Sequence, residues 1–361
     1  MVKKYLPFFI SIFCLQSAWA QVGGKYAYSF LDLTVPARTA ALGGNTIALR
    51  DGDINTVFQN PALLSSKMDN NLAFNFVKYL GDIKYAYVAY AKSFEGIGHF
   101  AAGIQQVGYG SFSQRDEYGN EIGFFHANDY CLNLSYGREK DSIFSYGVTL
   151  KTIYSAYAQY TSLGNALDIG FHFNPGKHKR FWFAGVISNL GYQWKTYTGN
   201  KAESLPMHVK LAMAYRVPKA PFRLLLGNDY LNNTQLTYTD PNNPPVTVDP
   251  FTHEPIKQHP FKKKMDNVAR EFTEAIEILL TQNFNIRVGF NYKRRQELIL
   301  TDKQGLAGFS FGLGFKISKF QFSYAYSQYS PVFGANYFSV TTNLSSFLRP
   351  NKTQAPAASP N

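Results

Sequence analysis

The C-terminal part of the chain alternates between aromatic and small or polar residues. In "KFQFSYAYSQYS" (319–330) the aromatic residues at every second position are Phe320, Phe322, Tyr324 and Tyr326. The residues between them are Gln321, Ser323, Ala325 and Ser327. Because successive side chains of a strand point to opposite faces, this segment predicts a strand with one aromatic and one small, polar face.

The same period of two recurs along most of the chain, for example in "FNIRVGFNY" (284–292) and "LAGFSFGLGFKI" (306–317). It predicts about fourteen strands, at roughly 72–79, 82–92, 96–108, 129–138, 142–158, 163–174, 180–190, 205–216, 221–231, 271–280, 283–293, 306–317, 319–330 and 335–345. Many of them approach the ~9–11 residues that a tilted strand needs to cross a bilayer.

The predicted connections fall into two classes. Those after even-numbered strands are short, and several after odd-numbered strands are long: 109–128, 191–204, 232–270 and 294–305. The first hairpin, which turns at Leu80-Gly81, is an exception. Short turns at one rim and long loops at the other are typical of outer-membrane barrels.

A soluble β-sandwich is the alternative, since it would alternate in the same way. The polar faces, however, are Gly, Ser, Asn and Ala rather than the Lys and Glu that solubilise an exposed sheet. The 31 Phe and 25 Tyr exceed what one sandwich core should hold, and charged residues make up only 17 %, against about 25 % in soluble domains. Open sheets also rarely exceed about ten strands.

We therefore predict an all-β fold, a transmembrane antiparallel β-barrel of about 14 strands, because a sheet in lipid must close to pair its backbone. The aromatic faces would contact lipid, with Tyr326 and Tyr329 near the loop-side interface. The small, polar faces would line the lumen.

The two ends of the chain differ from the strands. Residues 1–20 have a basic start, an apolar core and Ala18-Trp19-Ala20, which predicts a secretory signal peptide. Its removal would leave Cys131 as the single cysteine, so no internal disulfide is expected. Residues 72–347 would form the barrel, and the low-complexity tail 348–361 is predicted to be disordered. We expect a multi-pass barrel in the outer membrane.

Residues 21–71 are Gly-rich and do not alternate. Asn60 is a good N-cap and Pro61 suits a first helical position, so "NPALL" predicts a short helix; Asp53 could cap "INTVFQ" in the same way. A segment with short helices ahead of a wide barrel predicts a plug, or hatch, in the lumen. The alternative is a periplasmic extension.

One run in this segment, "ARTAALGGNTIALRDGDINTVFQNPALL" (37–64), carries a family resemblance. Its motif positions are Arg38, Leu42, Gly43, Gly44, Asp51, Asp53, Asn60, Pro61, Ala62 and Leu64. The run resembles the N-terminal signature of FadL-like outer-membrane barrels, in particular the PorV/PorQ family of the type IX secretion system of Bacteroidetes.

The resemblance implies a non-enzymatic component of that secretion system, which anchors or docks partner proteins of a surface attachment complex. The partners implied are secretion-system proteins of the PorU, PorV or PorZ kind. The alternative is a FadL-type transporter of hydrophobic small molecules. That function needs an apolar pocket near the plug and a lateral opening in the wall, and the near absence of Pro from the strands favours the first hypothesis.

No set of residues forms a catalytic, cofactor or metal motif, so we expect no enzyme activity, no cofactor and no metal. "DGD" at 51–53 lacks the remaining oxygens of a calcium loop and predicts a capped turn.

The net charge of +12 has its basic clusters in predicted loops, where solvated charge is the simplest interpretation. For an exported chain we expect outer-membrane lipid, including lipopolysaccharide, or acidic proteins as counterparts, and no nucleic acid. The Pro-rich loop 232–270 is the candidate partner-binding loop, through Tyr238, Phe251, His253, His259, Phe261, Lys262, Lys263 and Lys264.

Overall fold

The computed structural model describes residues 26–141, 143–175, 180–199, 201–232, 268–298 and 305–348. The predicted signal peptide, the tail from 349 onwards and the candidate partner-binding residues Tyr238 to Lys264 lie outside the described residues.

Fourteen antiparallel strands form a closed barrel, in which each strand pairs with the next and the last pairs with the first. The strands are β1 (Asn71–Lys78), β2 (Lys84–Phe94), β3 (Gly98–Arg115), β4 (Glu121–Glu139), β5 (Phe144–Tyr157), β6 (Tyr160–Phe173), β7 (Phe181–Lys195), β8 (His208–Arg216), β9 (Phe222–Asn228), β10 (Phe272–Ile278), β11 (Phe284–Asn291), β12 (Phe309–Ile317), β13 (Phe320–Ser330) and β14 (Phe333–Asn343). The predicted fold is confirmed.

The large apolar side chains lie on the outside of this barrel. On β12, Leu313 is 41 % exposed, while Ser310 on the opposite face is buried. Similar exposed residues occur around the wall: Phe74, Ile104, Leu132, Leu150, Ile169, Leu211, Ile276 and Phe338. An apolar outer face and a small, polar inner face are the arrangement of a barrel surrounded by lipid. No helix in the described part of the chain is long and apolar enough to cross a membrane.

The strands extend into two predicted long loops. β3 continues to Arg115 and β4 begins at Glu121, so the predicted loop 109–128 is a hairpin that turns at 116–120. β7 continues to Lys195, into the predicted loop 191–204. Most residues of the β3–β4 extension are exposed on both faces, and Tyr118 at its turn is 89 % exposed. A strand that buries neither face has no hydrophobic alternation, so the pattern could not reveal it.

Two further predictions differ from the structure. The predicted loop 294–305 begins with a helix, Tyr292–Leu298, and residues 299–304 lie outside the described part. Tyr329 does not contact lipid: its hydroxyl lies 2.6 Å from that of Tyr337 inside the barrel. Tyr329 shares the parity of Ala325 and Ser327, which are buried on the inner face, so its side chain follows theirs into the lumen.

The N-terminal residues 26–68, called the plug below, lie inside the barrel. They form a short α-helix, Ala37–Ala41, and 3-10 turns at Ser29–Asp32, Ile54–Phe58, Pro61–Leu63 and Ser66–Met68. Most of their side chains are buried against the inner faces of the strands.

Candidate functional site

The first contact between the plug and the wall is made by the "NPALL" segment. Asn60 caps its turn by accepting a hydrogen bond from the Ala62 amide at 3.0 Å, and it donates to the Ile47 carbonyl at 2.9 Å. Ser145 of β5 donates to the Ala62 carbonyl at 2.8 Å.

Glycines on β4, β5 and β6 make this close approach possible. A Cβ atom at Gly147 would lie 2.5 Å from the carbonyl carbon of Pro61, and one at Gly137 would lie 2.7 Å from the Cβ of Leu64. A Cβ at Gly170 would overlap the Asn60 side chain. The small residues of the inner face therefore form a surface on which the plug backbone rests.

A second contact places the "LGG" motif on β10 and β11. Gly43 and Gly44 have φ values of +76° and +109°, which side-chain-bearing residues rarely adopt. A Cβ at Gly43 would lie 2.5 Å from Cγ2 of Thr273, and one at Gly289 would overlap the Gly43 amide. Leu42 is fully buried beside Ile47.

The third contact is ionic and centres on Arg38. Its Nε donates to Oε1 of Glu277 at 3.0 Å and its Nη2 donates to Oε2 at 2.9 Å, so the pair is bidentate. The same guanidinium reaches Asp51 Oδ2 at 2.6 Å and Asp53 Oδ2 at 3.2 Å. One plug arginine thus joins two plug carboxylates to a carboxylate of the wall.

Two wall arginines complete this cluster. Arg287 of β11 donates from Nε to Glu277 Oε1 at 2.9 Å, and Arg223 of β9 donates from Nη1 to Glu277 Oε2 at 2.7 Å. Arg223 also reaches Asp51 Oδ2 at 2.7 Å. We call Arg38, Asp51, Asp53, Arg223, Glu277 and Arg287 the charge network.

The charge network balances three arginines with three carboxylates, and Glu277 at its centre is fully buried. Desolvation by its neighbours would raise the pKa of Asp51, whose side chain is 30 % exposed, but Arg38 and Arg223 outweigh it and hold that pKa well below its usual range. Buried ion pairs are costly to desolvate, so removing one partner destabilises far more than the intact cluster stabilises.

The structure brings the predicted motif residues to three places on the inner wall. Arg38, Asp51 and Asp53 lie in the charge network, Leu42 to Gly44 lie on β10 and β11, and Asn60 to Leu64 lie on β4 to β6. Asp53 also accepts from the Asn55 amide at 3.0 Å, which makes "DGD" a capped turn. The described residues hold no cluster of potential metal ligands.

Sequence reasoning missed the wall partners Glu277, Arg223 and Arg287. Glu277 lies directly opposite Arg287 on one side and Arg223 on the other. The signal was opposite charge at inner-face positions of neighbouring strands. It becomes readable only when the register between the strands is known.

Other chemically active side chains in the lumen have partners. Lys151 and Asp168 form an ion pair at 2.7 Å. Asp129 accepts hydrogen bonds from the hydroxyls of Tyr109 at 2.6 Å and Tyr157 at 2.8 Å. Cys131 is buried, with its sulfur 3.4 Å from Asn133 Oδ1. These groups support the shape of the inner wall.

Two cavities are relevant to function. The first, the rim cavity, has a volume of about 410 Å³ and lies beside the charge network, where β10 meets β11 and β12 meets β13 by short turns. The second, the wall notch, has a volume of about 490 Å³ and is lined by outward-facing residues of β1 to β4, among them Phe76, Lys84 and Gln106. The notch adjoins a register shift in β3 between Gly108 and Ser111.

The closed barrel and its apolar outer face together define the location of the chain. It is a multi-pass β-barrel of the outer membrane. The connections after the even-numbered strands β2 to β12 are all short, and the rim where they lie is the periplasmic one.

Comparison with known proteins finds similarity in solved structures alone. No family model matches the chain, and no curated protein matches it. The toluene transporter TodX of P. putida matches with a TM-score of 0.48 and 10 % identity, over 86 % of this chain and 98 % of that chain.

A FadL homologue of Pseudomonas aeruginosa matches with a TM-score of 0.47 and 11 % identity, over 86 % of this chain and 98 % of that one. The KdgM porin matches with a TM-score of 0.31 and 7 % identity, over 75 % of this chain and 98 % of that one. These structural neighbours are FadL-like and porin barrels, and none of the three is named as a secretion component. TM-scores below 0.5 and identities of 7–11 % carry no statement about the activity of this chain.

Proposed function

We propose that this chain is a non-enzymatic outer-membrane component of a type IX secretion system, which anchors or docks partner proteins at the cell surface. The observation that carries the proposal is the plug. The motif residues of the family resemblance are the residues that hold it in the lumen, from Arg38 on Glu277 to Pro61 on Gly147. Because the plug fills the lumen, the loops are the surface that is available to bind partner proteins.

Within that family the opening "GGKYAYSFLDLTVPAR" is most similar to PorQ. This finer resemblance supports partners of the PorU, PorV or PorZ kind. The loop 232–270 is the proposed docking segment, since a loop of this length in a compact protein usually has a function.

Affinity purification from a native host tests the proposal. The tagged full chain should recover surface secretion proteins, and a variant lacking 240–264 should assemble as a barrel but lose them. The matched control is Tyr118→Ser at the exposed β3–β4 turn, which should keep the partners. An isolated barrel with bound fatty acid and no protein partner would contradict the proposal.

A second candidate function is FadL-type transport of a hydrophobic small molecule. TodX is named as a transporter of such a molecule, toluene. The wall notch favours it, because the register shift between Gly108 and Ser111 interrupts the pairing of β3 with β4 beside the notch. The charged lining of the rim cavity does not suit such a substrate.

Uptake of toluene or oleate by cells that express the chain tests this candidate. Ala86→Trp would fill the wall notch and should abolish uptake if the notch is the exit. Ala102→Trp, at an exposed outer position of β3, is the control and should not change uptake. Equal uptake by cells without the chain would exclude this function.

A further inference from the structure

The rim cavity is formed jointly by the plug and the wall. The plug contributes Arg38, Asp51, Gly52, Asp53 and Lys67, and the wall contributes residues of β10 to β14 and of β1. The polar wall residues are Asn71, Glu277, Asn285, Arg287, Lys316, Gln321, Thr341, Thr342 and Asn343, with Lys319 in the turn between β12 and β13. A ligand in this cavity would contact both parts of the molecule.

The charge of the lining is positive. Its three carboxylates, Asp51, Asp53 and Glu277, are all engaged by arginines of the charge network. Lys67, Lys316 and Lys319 also line the cavity, and within the described residues no ion pair is formed by any of the three. The Lys319 ammonium lies 4.6 Å from the centre of the Phe347 ring, a contact that leaves its charge uncompensated by a carboxylate. Like charges around one polar space repel, and a bound anion would relieve that repulsion.

Neutral hydrogen-bonding groups accompany the excess charge. Asn285, Gln321 and Thr341 line the cavity, and their amide N–H or hydroxyl groups can donate hydrogen bonds to an oxyanion. The Arg287 guanidinium lies over Gly314, where a Cβ atom would be 2.7 Å from Nη2. Lys316 is on the same face of β12 as Gly314, so its side chain is directed toward the lumen at the periplasmic rim.

We propose that the rim cavity binds a phosphate- or carboxylate-bearing polyanion from the periplasm, between Lys67 of the plug and Lys316 and Lys319 of the wall. Ammonium groups bind such oxygens by charge-assisted hydrogen bonds. The anion bridges the plug to the barrel and so adds to the stability of the folded protein. This inference does not depend on the proposed function.

Calorimetric titration of the purified full chain in detergent tests the site, with pyrophosphate and citrate as the two probes. We expect saturable binding of at least one probe, and the stronger of the two identifies the oxyanion class. Loss of one charged hydrogen bond should weaken it about tenfold, so Lys316→Ala and Lys319→Ala should each do so. Absence of saturable binding by either probe would overturn the proposal.

Two further variants separate a site from general attraction to basic protein. Lys140→Ala and Lys219→Ala remove periplasmic-rim lysines that do not line the rim cavity, and they should bind the probes normally. Equal weakening in these controls would overturn the proposal.

Lys67→Ala tests the bridge. It should weaken binding about tenfold, as the wall variants do, and at equal probe concentration the rise in thermal unfolding temperature should be smaller than in the wild-type chain. Unchanged binding by Lys67→Ala would show that the anion does not join the plug to the wall.

Discussion

At the residue scale, Arg38 of the plug is held by a cluster of charged residues from three neighbouring strands. Its guanidinium meets Glu277, which in turn receives Arg223 and Arg287 from the strands on either side. Each member keeps another charge compensated, so the six residues act as one unit.

Glu277→Gln should therefore destabilise the protein strongly. It leaves the buried Arg38 and Arg287 and the half-buried Arg223 facing only Asp51 and Asp53, and breaking such a cluster costs about 3–5 kcal/mol. Denaturant unfolding in detergent measures the loss. Glu274→Gln, exposed on the same strand, is the matched control and should change stability little. Equal effects of the two variants would argue against the charge network.

The pH dependence of the plug follows from Asp51. Its pKa is held below the usual range, so ionised Asp51 stabilises the folded state at all pH values above the ordinary aspartate pKa, about 4. The contribution of Asp51 to the free energy of unfolding should be constant from neutral pH down to about pH 4. Below that pH it should fall, because Asp51 of the unfolded chain takes up a proton.

Denaturant midpoints measured across this range compare the wild type with Asp51→Asn. The variant should lack the part of the acid loss that Asp51 contributes. Identical profiles for the two proteins would show that Asp51 is not held ionised by Arg38 and Arg223.

At the scale of elements, the outer face of the strands is adapted to lipid and their inner face to the plug. Their outer faces present apolar side chains, while glycines such as Gly147 and Gly289 on the inner faces admit the plug backbone. A glycine in the middle of a strand weakens the strand itself. At these positions glycine is present because a larger residue would overlap the plug.

Gly147→Val should prevent the "NPALL" segment from docking while leaving the barrel intact. A side chain at this position meets the Pro61 carbonyl group, and the plug must move away. Limited proteolysis should then cut within 26–68, which the wild type should resist. Thr152→Val, on the outer face of the same strand, should leave the plug protected.

The sequence predicted the elements that have one apolar and one polar environment. Strands such as β12 alternate because lipid lies on one side and the plug on the other. The β3–β4 extension lacks that contrast and was missed, as was the inward position of Tyr329. The charge network could not be predicted, because the pairing of Glu277 with Arg287 depends on register, which the alternation alone does not specify.

At the scale of the whole molecule, the plug occupies the barrel that would otherwise be a channel. Purified wild-type chain in a planar bilayer should show no steady conductance. Deletion of 26–68 should produce large, stable openings, because a fourteen-stranded barrel without its plug encloses an aqueous space. Lys84→Ala, at the wall notch, is the control and should behave as the wild type. A porin-like conductance of the wild type would contradict a closed lumen.

The contacts of the plug also bear on how the protein folds. Arg38 bonds to Glu277, 239 residues later, and the Ala37 amide bonds to Ser339, 302 residues later. The plug therefore cannot form these contacts until the last strands of the barrel are in place. Contacts of such separation slow folding. Since β1 follows the plug directly and pairs with β14, sealing the barrel and seating the plug belong to one late event. Insertion into the membrane and occlusion of the lumen should therefore occur at the same rate.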